Sequence, residues 1–388
     1  MLFRRIAPEK VVIRPWGGGR RGASARPEPR AVARDWTDVF GRRGTLRRMG
    51  IQQHAVTPSG DFYRLYSAAQ VDVIVDSLSH RAEFPYQLTY LGDGSELWRE
   101  REVASNPDLA PMLGDFDTLL TRHAEQLLAL VPSSPPVQII DLGPGTTRPV
   151  RGLIRHLLDS TRLAGYRALD ISAEILELAR ENLRADFPAH VESFELCRGD
   201  FTGPDLARVL TAEHSPGHDG TDPVRFVVLA GATLYNFAEP AEVLCHVRRF
   251  MSDADVLLLT LRIDTGVDRP PFMDQVSVGG PYKPQQLAGL DLLAIDRSWY
   301  VTETGFDRMR SEVFVRARFL EPVAVTFDGE QGHRTVSFEP GDTVLVWRYL
   351  YHDSTAVADQ LTHCGLQVRL FEHGQDRQAV LVAATPAH

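Results

Sequence analysis

One short stretch, Val137–Val150 (VQIIDLGPGTTRPV), limits the possible folds of this chain more than any other. Its first residues are mostly apolar and β-branched and run directly into turn residues, which is typical of a buried parallel strand. Asp141 follows, and Gly143 and Gly145 open a turn into a predicted helix. Because glycine has no Cβ, such a turn lets backbone N–H groups approach a ligand closely. In open parallel α/β sheets these turns lie at the carboxyl ends of the strands, where nucleotides bind.

The spacing of the two glycines excludes two common phosphate sites. The stretch has neither a third glycine nor a Lys-Ser/Thr pair, so the dinucleotide fingerprint and the P-loop both fail to fit. An acidic residue before a Gly-Pro-Gly turn is more typical of a site for S-adenosylmethionine (SAM), which has no phosphate. Taken alone, the turn is also compatible with an ordinary tight connection between a strand and a helix.

The rest of the central region repeats the same pattern. Polar loops or helices separate successive apolar segments at intervals of about thirty residues, which is the size of a βαβ unit. Ser172 is a suitable N-cap for a helix over 173–186. The further strands are predicted at Tyr166–Asp170, Val191–Cys197, Val224–Ala230 and Val256–Arg262.

The predicted strand ends bring Asp141, Asp170, Asp200 and Gly231 to one edge of the sheet, because the ends of parallel strands line one crevice. Asp170 suits the two ribose hydroxyls of a nucleoside. Asp200 suits an adenine amino group, and Phe201 offers an N–H group and an apolar wall beside it. Each aspartate alone is equally compatible with a helix N-terminal cap. Together they favour a SAM site that needs neither phosphate nor metal.

Composition narrows the class of protein. The 388 residues are 43% hydrophobic, enough for a large core in two domains or in one domain with a large insertion. The net charge of −9 argues against a general nucleic-acid binder. Three scattered cysteines outside any CxxC motif indicate neither a disulfide framework nor a zinc site. The absence of a transmembrane-length apolar run and of a signal-peptide core favours a soluble cytoplasmic protein in a reducing compartment.

The two ends of the chain differ from its centre. Twelve of the first 50 residues are arginine, so we interpret residues 1–55 as a basic arm, either for an acidic partner or as a flexible extension. Beyond Asp264 the βαβ pattern stops, and alternating antiparallel segments follow. Val368–Phe371 and Ala379–Ala384 are predicted to form a closing hairpin. A parallel sheet finished by an antiparallel hairpin is the usual plan of class I methyltransferases.

Five motifs, in the right order, resemble the histidine-specific, SAM-dependent methyltransferase family, whose members trimethylate the α-amine of histidine in the ergothioneine pathway. The resemblance runs from about Asp61 to the C-terminus. The motifs are Tyr90–Trp98 (YLGDGSELW), Asp141–Thr147 (DLGPGTT), Leu169–Ser172 (LDIS), Gly199–Phe201 (GDF) and Gly231–Phe237 (GATLYNF).

The resemblance implies an α/β fold in which a Rossmann-like, class I SAM-methyltransferase domain (116–264 and 317–388) carries a smaller, discontinuous α+β substrate domain (56–115 and 265–316). It also implies that Asn236 holds the carboxylate of an amino-acid acceptor and that Glu312 lies near the imidazole of the family's substrate. The residues that correspond to SAM contacts are Tyr90, Gly143, Gly145, Asp170, Asp200, Phe201 and Gly231.

The chain departs from the family on the acceptor side. Asn106–Met112 stands where the family has PEYYxTR, and the tyrosine of its AYDD motif is replaced near Met273, a candidate substrate-binding residue. Phe314 stands where a small or polar residue would face the imidazole. Tyr235 replaces a glycine, and Pro149 replaces a lysine in the nucleotide turn. A site that loses hydrogen-bonding partners rejects its former ligand strongly, so histidine is a doubtful acceptor.

Methyl transfer is an in-line displacement that depends mainly on positioning, and an amine acceptor must be neutral to react. Tyr235 and Asn236 are the candidate catalytic residues, which would hold or deprotonate the acceptor; Tyr235 is equally compatible with a space-filling role. The predicted function is a SAM-dependent methyltransferase for an amino acid or related small metabolite, in secondary metabolism, with neither nucleic acid nor membrane as a partner.

Two alternatives stay open. If Tyr235 and Phe314 close the acceptor pocket, the protein cyclises or cleaves SAM and releases methylthioadenosine. Independently of that pocket, a non-catalytic SAM-binding partner protein is the second alternative.

Overall fold

The computed structural model describes residues 53–96, 109–133, 135–211, 222–266, 284–329, 332–375 and 377–387. Contacts within Ile51–His388 define one structural unit. Nearly all of the predicted basic arm, together with Met273 and most of the Asn106–Met112 segment, lies outside the described residues.

The strands of the described chain are β1 (His54–Val56), β2 (Val137–Leu142), β3 (Leu163–Asp170), β4 (Glu195–Arg198), β5 (Val224–Leu229), β6 (Val256–Arg262), β7 (Tyr300–Asp307), β8 (Glu312–Phe319), β9 (Val323–Gly329), β10 (Gly332–Phe338), β11 (Thr343–Leu350), β12 (Leu366–His373) and β13 (Ala379–Pro386). The helices are α1 (Gly60–Leu65), α2 (Ala68–Arg81), α3 (Leu109–Arg122), α4 (Ala124–Leu128), α5 (Arg151–Asp159), α6 (Ala173–Asp186), α7 (Asp205–Thr211), α8 (Pro240–Phe250), α9 (Pro284–Leu292) and α10 (Ser354–His363).

The largest sheet has seven strands in the order β12-β13-β6-β5-β2-β3-β4. Five neighbouring strands, β6, β5, β2, β3 and β4, run parallel to one another. Strand β13 runs antiparallel to both β6 and β12. Every residue of β2 is buried, as expected for a strand that is covered on both faces. This order, closed by the predicted antiparallel hairpin, is the class I methyltransferase plan, so the predicted fold class is confirmed.

Local sequence signals place most elements of this sheet correctly. Ser172 caps α6 by accepting a hydrogen bond from the Ile175 backbone N–H at 3.2 Å, as predicted from its position. The segment predicted as strand Val191–Cys197 differs, since Val191–Ser193 forms a 3-10 turn and the strand begins at Glu195. That strand is short because it pairs only with the last part of β3.

A second hydrophobic core lies around two three-stranded sheets, β1-β9-β10 and β11-β8-β7. The alternating apolar residues of β8 point into this core, and their polar neighbours form the opposite face of the sheet. The sequence-based limits place residues 317–388 in the cofactor domain; in the structure β9, β10 and the first part of β11 pack into the second core, whereas Tyr349 and Leu350 at the end of β11 pack into the first. The alternation of apolar and polar residues predicts antiparallel strands, but it does not indicate which of the two cores their apolar face packs into.

A disulfide joins Cys245 in α8 to Cys364 at the C-terminal end of α10. This corrects the expectation that the cysteines form no disulfide. The two residues are 119 positions apart, and they meet only because α8 and α10 pack against each other in the fold. Cys197 is free and half-buried. No helix in the described part of the chain has the length and apolar character that a membrane span requires.

Candidate functional site

The glycine-rich turn after β2 has an unusual backbone. Gly143, Gly145 and Thr147 have φ angles of +72°, +54° and +60°, a region that glycine enters without steric cost. A Cβ placed on Gly143 would lie 3.6 Å from both the Phe201 ring and the Thr233 methyl group. The turn therefore lies close to the loops that follow β4 and β5, as the parallel topology predicts.

Asp141 ends β2 with a carboxylate that is only 1% exposed. The Tyr166 hydroxyl donates a 2.8 Å hydrogen bond to its Oδ2 atom. Its buried Oδ1 atom has no hydrogen-bond partner among the residues that the structure describes. Burial raises the pKa of Asp141 to about 7, and the nearby Asp170 carboxylate adds to the rise while the Tyr166 hydrogen bond opposes it. An unpartnered buried oxygen at this edge suits a hydrogen-bond donor from a ligand.

Asp170 and Asp200 end the two neighbouring strand segments. The Ser172 backbone N–H donates to Oδ1 of Asp170 at 2.9 Å, and Thr202 donates to Oδ1 of Asp200 from both its backbone and its hydroxyl, at 2.8 and 2.6 Å. Burial raises the pKa of Asp170 to about 7, against the hydrogen bonds from Ser172 and Ile171. These bonds engage one oxygen of each carboxylate and fix its orientation.

Gly231 turns the chain out of β5. Its φ is +77°, and its backbone N–H donates to the Thr260 hydroxyl at 2.9 Å, while the next N–H, of Ala232, donates to the Thr260 carbonyl at 3.0 Å. Thr260 is fully buried in β6. The two bonds anchor the 3-10 turn Thr233–Asn236 at the same sheet edge as the three aspartates.

Tyr235 and Asn236, the two candidate catalytic residues, have different surroundings. Tyr235 is fully buried, its hydroxyl donates to Oε1 of Gln360 at 3.2 Å, and burial raises its pKa above the ordinary value. Asn236 is partly exposed, and its amide donates long 3.4 Å bonds to the carbonyls of Ala232 and Thr233. The phenol expected beside the transfer point instead fills space between the turn and α10, which leaves Asn236 as the accessible member of the pair.

Tyr90 belongs to the segment before the parallel strands and not to the loops that follow them. It ends the 3-10 turn Tyr86–Tyr90, whose Leu88 packs into the second core. Its hydroxyl hydrogen-bonds the hydroxyl of Tyr86, and the two rings pack edge to face at 5.1 Å. The strand edge brings the remaining predicted cofactor residues together: Gly143, Gly145, Asp170, Asp200, Phe201 and Gly231.

A cleft of about 410 Å³ lies between the segment that follows Asn236 and the outer face of the β11-β8-β7 sheet. Of the three predicted substrate residues within the described chain, Glu312 and Phe314 line the cleft, whereas Asn236 is not among its lining residues. Ala238 and Glu239 form the opposite wall, two and three residues beyond Asn236 in the chain.

One wall of the cleft carries a buried ionic cluster that we define as Glu83, Arg348 and Glu312. The Arg348 guanidinium donates to Oε2 of Glu312 at 3.0 Å and also hydrogen-bonds the Glu83 carboxylate. Sequence analysis missed Glu83 and Arg348. A usable signal exists for Arg348, because it interrupts the otherwise apolar strand Thr343–Leu350, where a charge is expected to be paired.

Phe314 lies against the sheet and does not fill the cleft. A Cβ placed on Gly305 would come within 2.5 Å of the Phe314 ring, so the ring rests directly on the neighbouring strand. The Arg316 guanidinium lies 4.8 Å from the ring centre, and it also donates to Glu303 at 2.8 Å. Tyr235 is thus buried in the core, and Phe314 lies on the wall of the cleft.

The aspartates at the strand ends, Asp141, Asp170 and Asp200, are also, by residue type, candidate metal ligands. The residues that the structure describes contain no group of three or more His, Cys, Asp or Glu side chains able to hold a metal ion.

Comparison with known proteins agrees with the geometry. Residues 70–270 match the family model described as histidine-specific methyltransferase, SAM-dependent. A histidine N-alpha-methyltransferase from Mycolicibacterium smegmatis is 27% identical over 293 residues, which cover 73% of this chain and 84% of that protein.

Solved structures also align with the chain. A SAM-dependent methyltransferase from Clostridium acetobutylicum has 10% identity and a TM-score of 0.39, and the alignment covers 74% of this chain and 96% of that one. The glycopeptide N-methyltransferase MtfA, complexed with SAM, has 16% identity and a TM-score of 0.36, with 69% and 93% covered.

Proposed function

This chain belongs to the histidine-specific, SAM-dependent methyltransferase family, and from that premise we propose that its acceptor is an amino acid or a related small metabolite other than histidine. The enzyme is a SAM-dependent methyltransferase, and SAM is its cofactor. The observation that carries the proposal is the cleft of about 410 Å³ that Glu312 and Phe314 line on one side and Ala238 and Glu239, which follow Asn236 in the chain, line on the other.

The edge of the main sheet at the carboxyl ends of its parallel strands fits SAM, and we assign the cofactor contacts to this edge. Asp170 accepts hydrogen bonds from the ribose hydroxyls, Asp200 accepts one from the adenine amino group, and Phe201 covers the base. Gly143 and Gly145 let the backbone approach, and Gly231 and Tyr90 complete the assigned set. The unpartnered Oδ1 atom of Asp141 supports this assignment, because a buried acceptor is expected to receive a donor.

We assign the acceptor to the cleft. Asn236 holds the acceptor's carboxylate or amine, while Glu312 and Phe314 contact its far end, with Met273 as a further proposed contact. When bound, SAM supplies an electrophilic methyl group on its sulfonium. The contribution of the protein is to hold a neutral nucleophile in line with that methyl and to exclude water. Tyr235 acts through its hydrogen bond to Gln360, which supports the turn that carries Asn236.

We further propose that the two cores correspond to a cofactor domain and a smaller acceptor domain. The loss of the family's histidine-side residues favours a role in secondary metabolism and not in ergothioneine synthesis. The two cores support this division because each has its own sheet system and its own buried apolar cluster.

Mass spectrometry of the purified protein with SAM tests the proposal, both without acceptor and with an amino-acid panel that includes histidine. We expect S-adenosylhomocysteine to form only when an acceptor other than histidine is present. Methylthioadenosine formed without any acceptor, faster than in an enzyme-free control, would overturn the proposal in favour of SAM cyclisation or cleavage. An Asp170→Asn variant, purified identically, controls for contaminating methyltransferases.

A further inference from the structure

Arg148 directly follows the glycine-rich turn and is the one cationic residue between Gly143 and Val150. We infer that its guanidinium binds the carboxylate at the methionine end of SAM, and that this contact selects SAM over adenosyl compounds without a carboxylate. The inference rests on the proposed assignment of SAM to the sheet edge. It adds to that assignment a recognition residue and the group of the cofactor that this residue binds.

The assigned contacts set the direction of SAM along the sheet edge. Asp200 follows β4 and is assigned to the adenine, whereas Asp170 ends β3 and is assigned to the ribose. From there the neighbouring strands continue in the order β4-β3-β2-β5. The methionine part of SAM lies on the other side of the ribose from the adenine. It therefore extends past the turn after β2 towards Gly231 at the end of β5.

Helix α3 covers this end of the edge and places Arg148 there. A Cβ on Gly231 would lie 3.9 Å from Cδ2 of Leu113, and a Cβ on Gly114 would lie 3.7 Å from Nη2 of Arg148. Leu113 and Gly114 are consecutive in α3, so one short segment of helix is adjacent both to the turn out of β5 and to the guanidinium. The guanidinium therefore lies at the end of the edge to which the methionine part of SAM extends.

The charge of Arg148 is not used within the described part of the chain. Its guanidinium is partly exposed and makes no hydrogen bond or ion pair with any residue that the structure describes. Arg151, three positions further on, approaches Asp117 at 3.9 Å and Asp186 at 3.7 Å. Asp117 also accepts a 2.7 Å hydrogen bond from the Gly152 N–H. These acids are thus engaged elsewhere, and Arg148 offers its N–H donors to a ligand.

The methionine end of SAM carries a matching anion. Its carboxylate is the kind of group that a planar guanidinium binds best, through two parallel hydrogen bonds. The carboxylates of Asp141 and Asp170 are buried at the same edge and, when ionised, repel a ligand carboxylate. The Arg148 cation offsets this repulsion. The hydroxyl of Thr146, two residues before it, is buried without a hydrogen-bond partner in the described chain, so the same turn offers a second donor.

Calorimetric titration of the protein with SAM and with decarboxylated SAM, without acceptor, tests this inference because the two ligands differ only in the carboxylate. We expect the wild-type protein to bind SAM at least about tenfold more tightly. In Arg148→Gln the affinity for SAM should fall by about tenfold, while the affinity for decarboxylated SAM stays within about twofold. Arg148→Lys, which keeps the charge without the planar fork, should restore part of the preference. Arg151→Gln is the matched control and should keep the full preference.

Decarboxylated SAM also controls for folding, since its binding needs the adenosine contacts and not the carboxylate contact. Equal affinity of the wild-type protein for the two ligands would overturn the inference. Equal weakening of both ligands in Arg148→Gln would also overturn it, because the residue would then have only a structural role. A wild-type protein that binds neither ligand would overturn the proposed function, and the inference with it.

Discussion

The hydroxyl of Tyr166 donates a 2.8 Å hydrogen bond to Asp141, and both side chains are fully buried between adjacent parallel strands. The bond fixes the carboxylate that precedes the glycine-rich turn and leaves its second oxygen without a partner in the described part of the chain. Asp141 and Asp170 are therefore two buried acids at one strand edge, and their pKa values are both raised to about 7.

SAM binding should depend on pH through Asp170. An ionised carboxylate accepts hydroxyl donors more strongly than a protonated one, so binding favours the charged form and releases a proton when the pKa starts near 7. We expect the dissociation constant to rise by up to about tenfold per pH unit as the pH falls below about 7. Isothermal calorimetry between pH 5.5 and 8.5, on the order of one unit either side of that pKa, measures this.

Asp170→Asn is the control for this pH dependence, since it keeps the shape of the side chain and removes its titration. The variant should bind SAM more weakly and with a flatter pH profile. The stability of the ligand-free protein should depend on pH in the opposite direction. Because burial raises the pKa of both aspartates from 3.8, they lower the free energy of unfolding as pH rises from about 4 to about 7. A pH-independent dissociation constant in the wild-type protein would argue against Asp170 as the ribose ligand.

Asn236→Ala and Tyr235→Phe should have different effects. Loss of the Asn236 amide misplaces the acceptor, and we expect kcat/KM for the acceptor to fall by roughly 100-fold with SAM affinity unchanged. Loss of the Tyr235 hydroxyl removes one buried hydrogen bond to Gln360 and should lower the free energy of unfolding by about 1 kcal/mol. Steady-state kinetics and urea unfolding separate the two effects. A large loss of kcat in Tyr235→Phe without loss of stability would instead assign its phenol to catalysis.

Reduction of the Cys245–Cys364 disulfide should destabilise the protein. A cross-link that closes a loop of 119 residues restricts the unfolded chain, and the chain-entropy model gives up to about 4 to 5 kcal/mol for this length. Urea unfolding with and without a reducing agent measures the loss, and Cys364→Ser should reproduce it. Cys197→Ser, at the free cysteine, is the control and should retain the response to reductant. Equal stability in both conditions would show that the bond does not form.

Gly305→Ala should perturb acceptor binding from the neighbouring strand, because Gly305 lies directly opposite Phe314 in the β7–β8 pair and shares its face of the sheet. The added Cβ would lie 2.5 Å from the Phe314 ring and would displace this ring, which lines the cleft. We expect the acceptor KM to rise several-fold while SAM affinity, measured by calorimetry, stays within about twofold. Gly329→Ala, where the added Cβ makes only an ordinary 3.5 Å contact, provides the comparison. An unchanged KM would exclude a role for the Phe314 position in acceptor binding.

The sheet edge that we assign to SAM could be predicted from sequence, because the residue patterns that mark it are local. A buried strand followed by Asp141 and Gly143, and a serine N-cap after Asp170, each report backbone geometry within a few residues. The parallel repeat then brings these positions together. The segment before β4 was the exception, because a 3-10 turn and a short strand are hard to distinguish in an apolar run.

The acceptor side depends on contacts that local patterns do not encode. Glu83 and Arg348 are 265 residues apart, and Cys245 and Cys364 are 119 apart, so only the packed fold brings each pair together. The orientation of Tyr235 is another such case. A tyrosine beside the candidate catalytic residue Asn236 is expected at the site, but the direction of its side chain depends on space next to α10.

The central claim is that this enzyme moves the SAM methyl group to a nitrogen of an acceptor held in the cleft beside Asn236. SAM with a deuterated methyl group, incubated with the protein and an amino-acid panel that includes histidine, tests it most directly by mass spectrometry. We expect the label to appear on a nitrogen of an acceptor other than histidine, and Asp170→Asn to abolish the transfer. Label found only in methylthioadenosine, with every acceptor unlabelled, would contradict it.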